Sequence, residues 1–172
     1  KKTVLTSEGK TFFYDKLFLA TGASAFIPPI EGNTLKGVKM LRGIPDALKI
    51  KSFMTKTAPK KLVFVGAGFI TMEIASLLAA QNPGAYEITV VEMFNRPLPL
   101  MLDVDMAGQV KEYFEAKGIR ILTGATVEKI LGANGRVSAV KLNSGQEIEA
   151  DMVFINVGVR PNTALAESIG LE

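Results

Sequence analysis

One short segment constrains this chain more than any other: an apolar run that passes directly into two closely spaced glycines. Residues 62–65 are Leu-Val-Phe-Val, a composition typical of a strand that is buried on both faces of a parallel sheet. Gly66, Ala67 and Gly68 follow at once, and an apolar helix is predicted from Phe69 to Ala80. A strand, a glycine loop and a helix in this order are typical of dinucleotide-binding α/β domains.

The glycine loop makes a specific chemical demand. Gly66 allows the chain to turn sharply off the strand, and Gly68 lets the backbone approach a pyrophosphate without an intervening Cβ. The N-terminus of the following helix then offers free N–H groups and a partial positive charge to the phosphates. The predicted cofactor-binding residues of this loop are Gly66, Ala67, Gly68, Phe69 and Ile70.

The helix after the loop departs from the G-x-G-x-x-G pattern, because Thr71 stands where the third glycine would lie. We therefore expect a slightly wider separation between helix and strand. Only Thr71, Glu73 and Ser76 are polar between residues 69 and 80, so the helix is expected to be covered on nearly every side. From its position alone, Glu73 either complements the helix dipole or contacts the carboxamide of a nicotinamide.

An acidic residue lies at the spacing expected for ribose recognition. The predicted strand Glu87–Glu92 ends in Glu92, 21 positions after Thr71, where a carboxylate accepts hydrogen bonds from ribose hydroxyls in this type of site. The same carboxylate repels the 2′-phosphate of NADP, so we predict that the site prefers NAD(H) over NADP(H). Arg96, four residues later, leaves NADP(H) open as the alternative, because it could partly offset that repulsion.

Further strands and a helix extend this unit into a sheet. Residues 87–92 and 119–122 have the composition of buried strands, and Asp103 is a candidate N-cap for a helix between them. Asn134-Gly135 indicates a hairpin, because both central residues of a type I′ turn need positive φ. The predicted fold class is α/β, with a Rossmann-like parallel sheet, flanking helices and a three-stranded antiparallel β-meander. The other predicted elements are strands at 3–5, 11–14, 17–20, 62–65, 125–131, 136–142, 146–150 and 151–157, a loop-rich linker at 28–43 and a helix at 45–57.

Composition excludes several kinds of chemistry within these residues. The chain has neither cysteine nor histidine, which excludes disulfides, thiolate or imidazole metal sites, and hydrolases built on Ser-His-Asp or Cys-His. A formal net charge of +3 over 172 residues is too small to indicate a nucleic-acid or membrane partner. Tyr113 and Lys117 form the Y-x-x-x-K pair of short-chain dehydrogenases, but they lie on the wrong helix relative to the glycine loop. A solvated helix face is therefore the favoured interpretation of this pair.

Three segments, in order along the chain, resemble those of one protein family. Residues 14–23 (YDKLFLATGA) are similar to a segment of a flavin domain that ends beside FAD, and residues 65–73 (VGAGFITME) are similar to a nicotinamide-dinucleotide loop. Residues 151–163 (DMVFINVGVRPNT) resemble the strand and turn at which the chain crosses back. The family is the pyridine nucleotide-disulfide oxidoreductases, which are FAD flavoproteins. The branch it most resembles contains NADH oxidases, coenzyme A-disulfide reductases and persulfide reductases.

The resemblance implies a reaction and a role for several residues. The reaction is hydride transfer from NADH to FAD, followed by electron transfer to a disulfide, a persulfide, oxygen or a redox protein. Phe69 would lie over the flavin and move aside for the nicotinamide, Glu73 would contact its carboxamide, and Gly158 would line the dinucleotide groove. Thr21 and Gly22 would lie beside FAD. A redox cysteine is expected upstream, so no catalytic residue is predicted within this chain.

The resemblance also implies a domain organisation. Residues 1–30 are expected to end an FAD-binding domain, residues 31–152 to form the NAD(H)-binding domain, and residues 153–172 to return towards the FAD-binding domain. The chain begins with Lys1, and we expect it to be an inactive piece of a longer, cytoplasmic, homodimeric flavoprotein whose partners are its dinucleotide cofactors. The alternative is a stand-alone NAD(H)-binding sensor module without catalysis.

Overall fold

A computed structural model of the chain describes residues 2–81 and 83–171. The chain divides into two compact units: residues 25–159 form the larger unit, and the residues up to Ser24 together with those from Arg160 onward form the smaller one. The strands are β1 (Thr3–Leu5), β2 (Thr11–Phe13), β3 (Ala23–Ala25), β4 (Val38–Lys39), β5 (Lys61–Val65), β6 (Glu87–Glu92), β7 (Ile119–Thr123), β8 (Val127–Ala133), β9 (Arg136–Leu142), β10 (Glu147–Glu149), β11 (Met152–Ile155) and β12 (Val159–Pro161). The helices are α1 (Ile44–Thr57), α2 (Phe69–Gln81), α3 (Val104–Glu115) and α4 (Ala164–Glu167).

The larger unit is built on a five-stranded sheet in the order β4-β11-β5-β6-β7, and every neighbouring pair in it is parallel. The predicted strands around the glycine loop and the helix that Asp103 caps are all present. The Rossmann-like parallel sheet with flanking helices is therefore confirmed. In this arrangement the carboxyl ends of β5, β6 and β11 lie at one edge of the sheet, next to the glycine loop.

Alternation of side chains along the central strands divides the core of the larger unit in two. Phe64 of β5 and Phe154 of β11 lie on one face, where their rings stack with centroids 4.5 Å apart. Helices α2 and α3 cover this face through Met72 and Phe114. Val63 of β5 belongs to the second cluster, which lies between the other face and strands β8, β9 and β10.

The three-stranded antiparallel meander is also confirmed, with strand order β10-β9-β8. The β8–β9 turn contains Asn134 and Gly135, whose φ angles are 52° and 73°. Both central residues are thus in the positive-φ region that the Asn-Gly pair predicts for a type I′ hairpin.

The smaller unit contains the antiparallel pair β1–β2, with Thr3 opposite Phe13, and the short helix α4. The predicted strand at residues 17–20 is absent, so that prediction was wrong. Phe18 is 89% exposed, and within the described part of the chain the segment has no neighbouring strand to supply hydrogen bonds. A short apolar run forms a strand only where such a partner exists.

The predicted linker at residues 28–43 contains a strand that the sequence analysis missed. Strand β4 consists of Val38 and Lys39, which pair with Val153 and Phe154 of β11. Two residues are too few to show an alternating pattern, and the hydrogen bonds to β11 define this strand. It forms one edge of the parallel sheet.

Helix α2 is not covered on nearly every side, and that expectation was wrong. Thr71, Met72 and Ala75 are buried, whereas Phe69 and Leu77 are 60% and 51% exposed. A helix that is apolar all round has no polar stripe to identify its outer face. None of the helices within residues 2–81 and 83–171 is long and apolar enough to cross a membrane.

Candidate functional site

A cleft of about 510 Å³ opens in the larger unit at the carboxyl ends of β5, β6 and β11. Open α/β sheets bind ligands at this edge, and the volume lies within the range of small-molecule sites. The lining residues used below are Gly66, Gly68, Phe69, Ile70, Glu92, Phe94, Leu98, Pro99, Leu100, Met101, Asn156 and Gly158. Most of the predicted cofactor-binding residues therefore surround one space.

Gly66 forms the turn between β5 and the glycine loop, and its φ of +91° is one that L-residues rarely adopt. A Cβ at this position would lie 2.9 Å from the carbonyl oxygen of Asn156 and 3.2 Å from Cγ1 of Val157. The N–H of Gly66 donates to the carbonyl of Val91 at 2.8 Å. Glycine is therefore required here both by backbone conformation and by the close approach of the chain after β11.

Gly68 is different, because a Cβ there would meet nothing within 4 Å. Helix α2 begins at Phe69, and its bond from Met72 N–H to the Gly68 carbonyl, 3.1 Å long, is the first of the helical ladder. The backbone N–H groups of Gly68, Phe69 and Ile70 have no hydrogen-bond partner among the described residues. The structure thus places three unpaired amides beside an open space, which fits the pyrophosphate of a dinucleotide.

Glu92 holds the glycine loop from the neighbouring strand. The residue is 5% exposed. Its Oε2 accepts from the Ala67 N–H at 2.6 Å, and its Oε1 accepts from the Phe94 N–H at 2.9 Å. The Ala67 amide is therefore not free for a phosphate. The sequence predicted Glu92 only as a ribose ligand, because the spacing along the chain does not reveal a side chain-to-backbone contact across two strands.

The next peptide group, between Ala67 and Gly68, is held by the loop after β6. The Ala67 carbonyl accepts from the Leu98 N–H at 2.9 Å, and Leu98 has a φ of +50°. Arg96 is half-buried, and its guanidinium donates to the carbonyls of Leu102 at 3.2 Å and Pro99 at 3.1 Å. The arginine that the sequence offered as a 2′-phosphate ligand therefore bonds to its own loop.

The remaining predicted residues lie in different surroundings. Phe69 lines the cleft and is largely exposed, and Gly158 lines it with a φ of +121°. Glu73 is exposed on α2 and is not among the residues that line the cleft. Thr21 and Gly22 belong to the smaller unit: Thr21 Oγ1 donates to the Asn162 carbonyl at 2.6 Å, and the Asn162 N–H donates to the Gly22 carbonyl at 2.9 Å.

The Y-x-x-x-K pair is remote from this chemistry. Neither Tyr113 nor Lys117 lines the cleft. Tyr113 is 56% exposed, and Lys117 lies beyond the end of α3 with its Nζ 4.8 Å from the centre of the Tyr113 ring. This geometry agrees with a solvated surface rather than with a catalytic pair.

Two polar side chains near the cleft, Thr71 and Asn156, each have a buried atom without a described hydrogen-bond partner, which the sequence did not predict. Thr71 is completely buried, and its Oγ1 has no hydrogen-bond partner within the described residues. Asn156 Oδ1 accepts from the Leu41 N–H at 3.3 Å, while its Nδ2 is buried without a described partner. Asn156 could have been noticed as the polar residue that follows the apolar strand β11.

Comparison with known proteins identifies the family. A sequence model of the pyridine nucleotide-disulphide oxidoreductases matches residues 1–172. The chain belongs to this family. The resemblance noted from its motifs is thereby confirmed.

Individual pyridine nucleotide-disulphide oxidoreductases match most or all of the chain. An NADH oxidase from Methanocaldococcus jannaschii is 43% identical over 157 residues, which are 91% of this chain and 34% of that protein. A rubredoxin-NAD(+) reductase from Ectopseudomonas oleovorans is 36% identical over 172 residues, or 100% of this chain and 43% of that protein. The structure of an NAD-dependent persulfide reductase from A. fulgidus is 37% identical with a TM-score of 0.86, covering 99% of this chain and 31% of that one. The chain thus spans less than half the length of each of these relatives.

Proposed function

We propose that the larger unit is the NADH-binding domain of an FAD-dependent oxidoreductase, which passes hydride from NADH to flavin. The observation that carries this proposal is the set of three unpaired amides at Gly68, Phe69 and Ile70, next to a position where a Cβ would meet only open space. Such a set satisfies phosphate oxygens without the help of a charged side chain.

Different residues of the cleft would bind the pyrophosphate and the adenosine ribose of the dinucleotide. The pyrophosphate would accept from the amides of Gly68, Phe69 and Ile70. The adenosine ribose would donate to Glu92, because each carboxylate oxygen has lone pairs beyond the one used by a backbone N–H. Holding that carboxylate with two amides fixes its position before the ribose arrives, which lowers the entropic cost of binding.

The preference for NAD(H) over NADP(H) rests on charge. Glu92 places a negative charge within the cleft, where it would repel a 2′-phosphate. The Arg96 guanidinium donates to the carbonyls of Pro99 and Leu102, so it is held by its own loop rather than presented to a 2′-phosphate. We therefore expect NADH to bind more tightly than NADPH.

When bound, NADH supplies the hydride, and the protein orients it. Phe69 and Ile70 at the start of α2 present apolar surface to the cleft, which would exclude water from the nicotinamide. Glu73 lies one helical turn after Phe69 on the same face of α2, outside the residues that line the cleft. It would hold the carboxamide and select which face of the ring is presented. Phe69, Ile70 and Glu73 exchange no proton or electron in this proposal.

The rest of the proposal concerns the whole protein. Thr21 and Gly22 would contribute to the FAD site, and a redox cysteine outside this chain, or a bound acceptor, would receive the electrons from flavin. The names of the relatives suggest the class of acceptor: oxygen, a persulfide or a redox protein such as rubredoxin. We further propose that the protein is homodimeric and cytoplasmic.

Calorimetric titration with NADH tests the proposal, using Gly68→Ala and Gly108→Ala as a matched pair. A Cβ meets nothing within 4 Å at either position, so both variants should fold. The new methyl group at Gly68 would separate the backbone from the pyrophosphate, and we expect binding at least about tenfold weaker, or about 1.4 kcal/mol. Gly108 lies in α3, away from the cleft, and its variant should bind like the wild type. Equal affinities of the two variants would contradict the proposed site, and tighter binding of NADPH than of NADH would contradict the cofactor preference.

A further inference from the structure

One side chain, that of Arg96, contacts three other residues of the loop after β6, residues 93–102. The Arg96 guanidinium donates from Nε to the Leu102 carbonyl at 3.2 Å and from Nη2 to the Pro99 carbonyl at 3.1 Å. Its third nitrogen, Nη1, lies 3.4 Å from Oδ1 of Asn95. Because these acceptors lie on both sides of Arg96 along the chain, the side chain cross-links the two halves of the loop.

The same loop contains a strained residue that makes the contact with the glycine loop. Leu98 has a φ of +50°, which is costly for a residue with a branched side chain. Its N–H donates to the Ala67 carbonyl at 2.9 Å, and its carbonyl accepts from the N–H groups of Met101 at 2.9 Å and Leu102 at 3.0 Å. A conformation of this kind persists only where the surrounding bonds impose it.

These contacts meet at one residue of the glycine loop, Ala67, and hold the two peptide groups that flank it. The Ala67 N–H is held by Glu92 Oε2 at 2.6 Å, and the Ala67 carbonyl is held by Leu98. The Pro99 carbonyl accepts from Arg96, and the Met101 N–H donates to Leu98. Both Pro99 and Met101 also line the cleft. The position of the loop thus determines both the shape of the cleft wall and the orientation of the peptide that precedes Gly68.

We infer that Arg96 is a positioning residue for the dinucleotide: it holds the loop after β6 in the conformation that supports the glycine loop, and it is not a ligand of a 2′-phosphate. The inference rests on the proposed function, since it assigns Arg96 a part in dinucleotide affinity. It differs from the sequence-based alternative in a measurable way. A positioning residue affects NADH and NADPH alike, whereas a phosphate ligand affects NADPH alone.

The test compares Arg96→Ala, Arg96→Lys and the control Arg120→Ala in the full chain. Arg120 is exposed on β7 and does not line the cleft. Because it is also an arginine, its replacement by alanine changes the net charge by the same amount. We expect Arg96→Ala to weaken binding of NADH and NADPH by about tenfold each, since hydrogen bonds from a charged donor are lost. Arg96→Lys keeps the charge but lacks the planar fork that reaches two carbonyls, and it should remain closer to Arg96→Ala than to the wild type. Arg120→Ala should bind like the wild type.

Amide hydrogen exchange of the free protein supplies a second readout that does not need a cofactor. The N–H groups of Leu98, Met101 and Leu102 should exchange faster in both Arg96 variants than in Arg120→Ala. Unchanged exchange and unchanged NADH affinity would overturn the inference, as would a loss confined to NADPH. If the wild-type chain binds neither dinucleotide, the proposed function fails, while the exchange data still decide whether Arg96 holds the loop. Circular dichroism establishes that each variant is folded, and Arg96→Lys supports the comparison if Arg96→Ala does not fold.

Discussion

The two glycines of the loop are required for different reasons, and substituting each by alanine separates those reasons. Gly66→Ala places an L-residue at a φ of +91° and a Cβ 2.9 Å from the Asn156 carbonyl oxygen. The unfavourable φ costs about 1–3 kcal/mol, and relief of the clash costs about another 1–3 kcal/mol. The lower entropy of the unfolded alanine chain returns about 0.4–1 kcal/mol. We therefore expect Gly66→Ala to lower the free energy of unfolding by about 3 kcal/mol, within a range of roughly 1–6 kcal/mol, out of the about 5–15 kcal/mol typical of a domain.

Urea unfolding followed by far-ultraviolet circular dichroism measures this change, provided that the wild type and the variants share one m-value. Gly68→Ala is the first control, because a Cβ there has open space and the φ is not in the positive region. Gly108→Ala is the second, and it should raise the free energy of unfolding by up to about 1 kcal/mol because it removes a glycine from the interior of α3. A Gly66→Ala protein as stable as Gly68→Ala would refute the reasoning, since neither the backbone conformation nor the approach of the chain after β11 would then require glycine.

Three further predictions concern stability. Thr71→Val replaces a buried hydroxyl that has no described partner with a methyl group of similar shape. We expect this variant to be as stable as the wild type or to have a free energy of unfolding higher by about 1 kcal/mol. A loss above about 1 kcal/mol in urea titrations would show that the hydroxyl makes a hydrogen bond. The hydrogen bond and ion pair with Glu149 raise the pKa of Lys61 above its ordinary 10.5. The stability that these contacts give to the folded state is therefore fully present below pH 10.5 and is lost as the pH rises through the folded-state pKa. Glu149→Gln should therefore make the loss of stability at high pH less steep in melting curves, and an unchanged slope would contradict this. Asp103→Ala removes the side chain that accepts from the Met106 N–H at 2.9 Å and should lower the free energy of unfolding by about 1 kcal/mol. Asp103→Asn should retain most of the stabilisation by the N-cap. Equal melting temperatures of the two variants would argue against the cap.

Local patterns predicted the centre of the fold correctly. The apolar residues of β5, the glycines that follow and the alternating meander strands all carry their signal within a few neighbouring positions. Steric limits on the backbone and the burial of apolar side chains act at that same range. The residues around the cleft were found for the same reason, because Gly66, Gly68 and Glu92 belong to one motif of regular spacing.

Features that depend on a partner were missed. Strand β4 exists because Val38 finds a place beside Val153, more than a hundred residues away in the chain. The segment at residues 17–20 has a comparable local composition but no strand beside it among the described residues. Backbone hydrogen bonds between strands thus decided both cases, and no window of sequence contains both partners.

By itself, the sequence determined the order of elements, the α/β class and the glycine loop with its acidic residue, because each follows from local backbone sterics and the burial of apolar side chains. Only the tertiary structure decided that Glu92 binds the Ala67 amide, that Arg96 bonds to its own loop, and that α2 leaves Phe69 exposed. Those outcomes depend on which groups meet across neighbouring strands and loops. Hydrogen bonds and burial are properties of pairs in space, so they become defined only once the chain has folded.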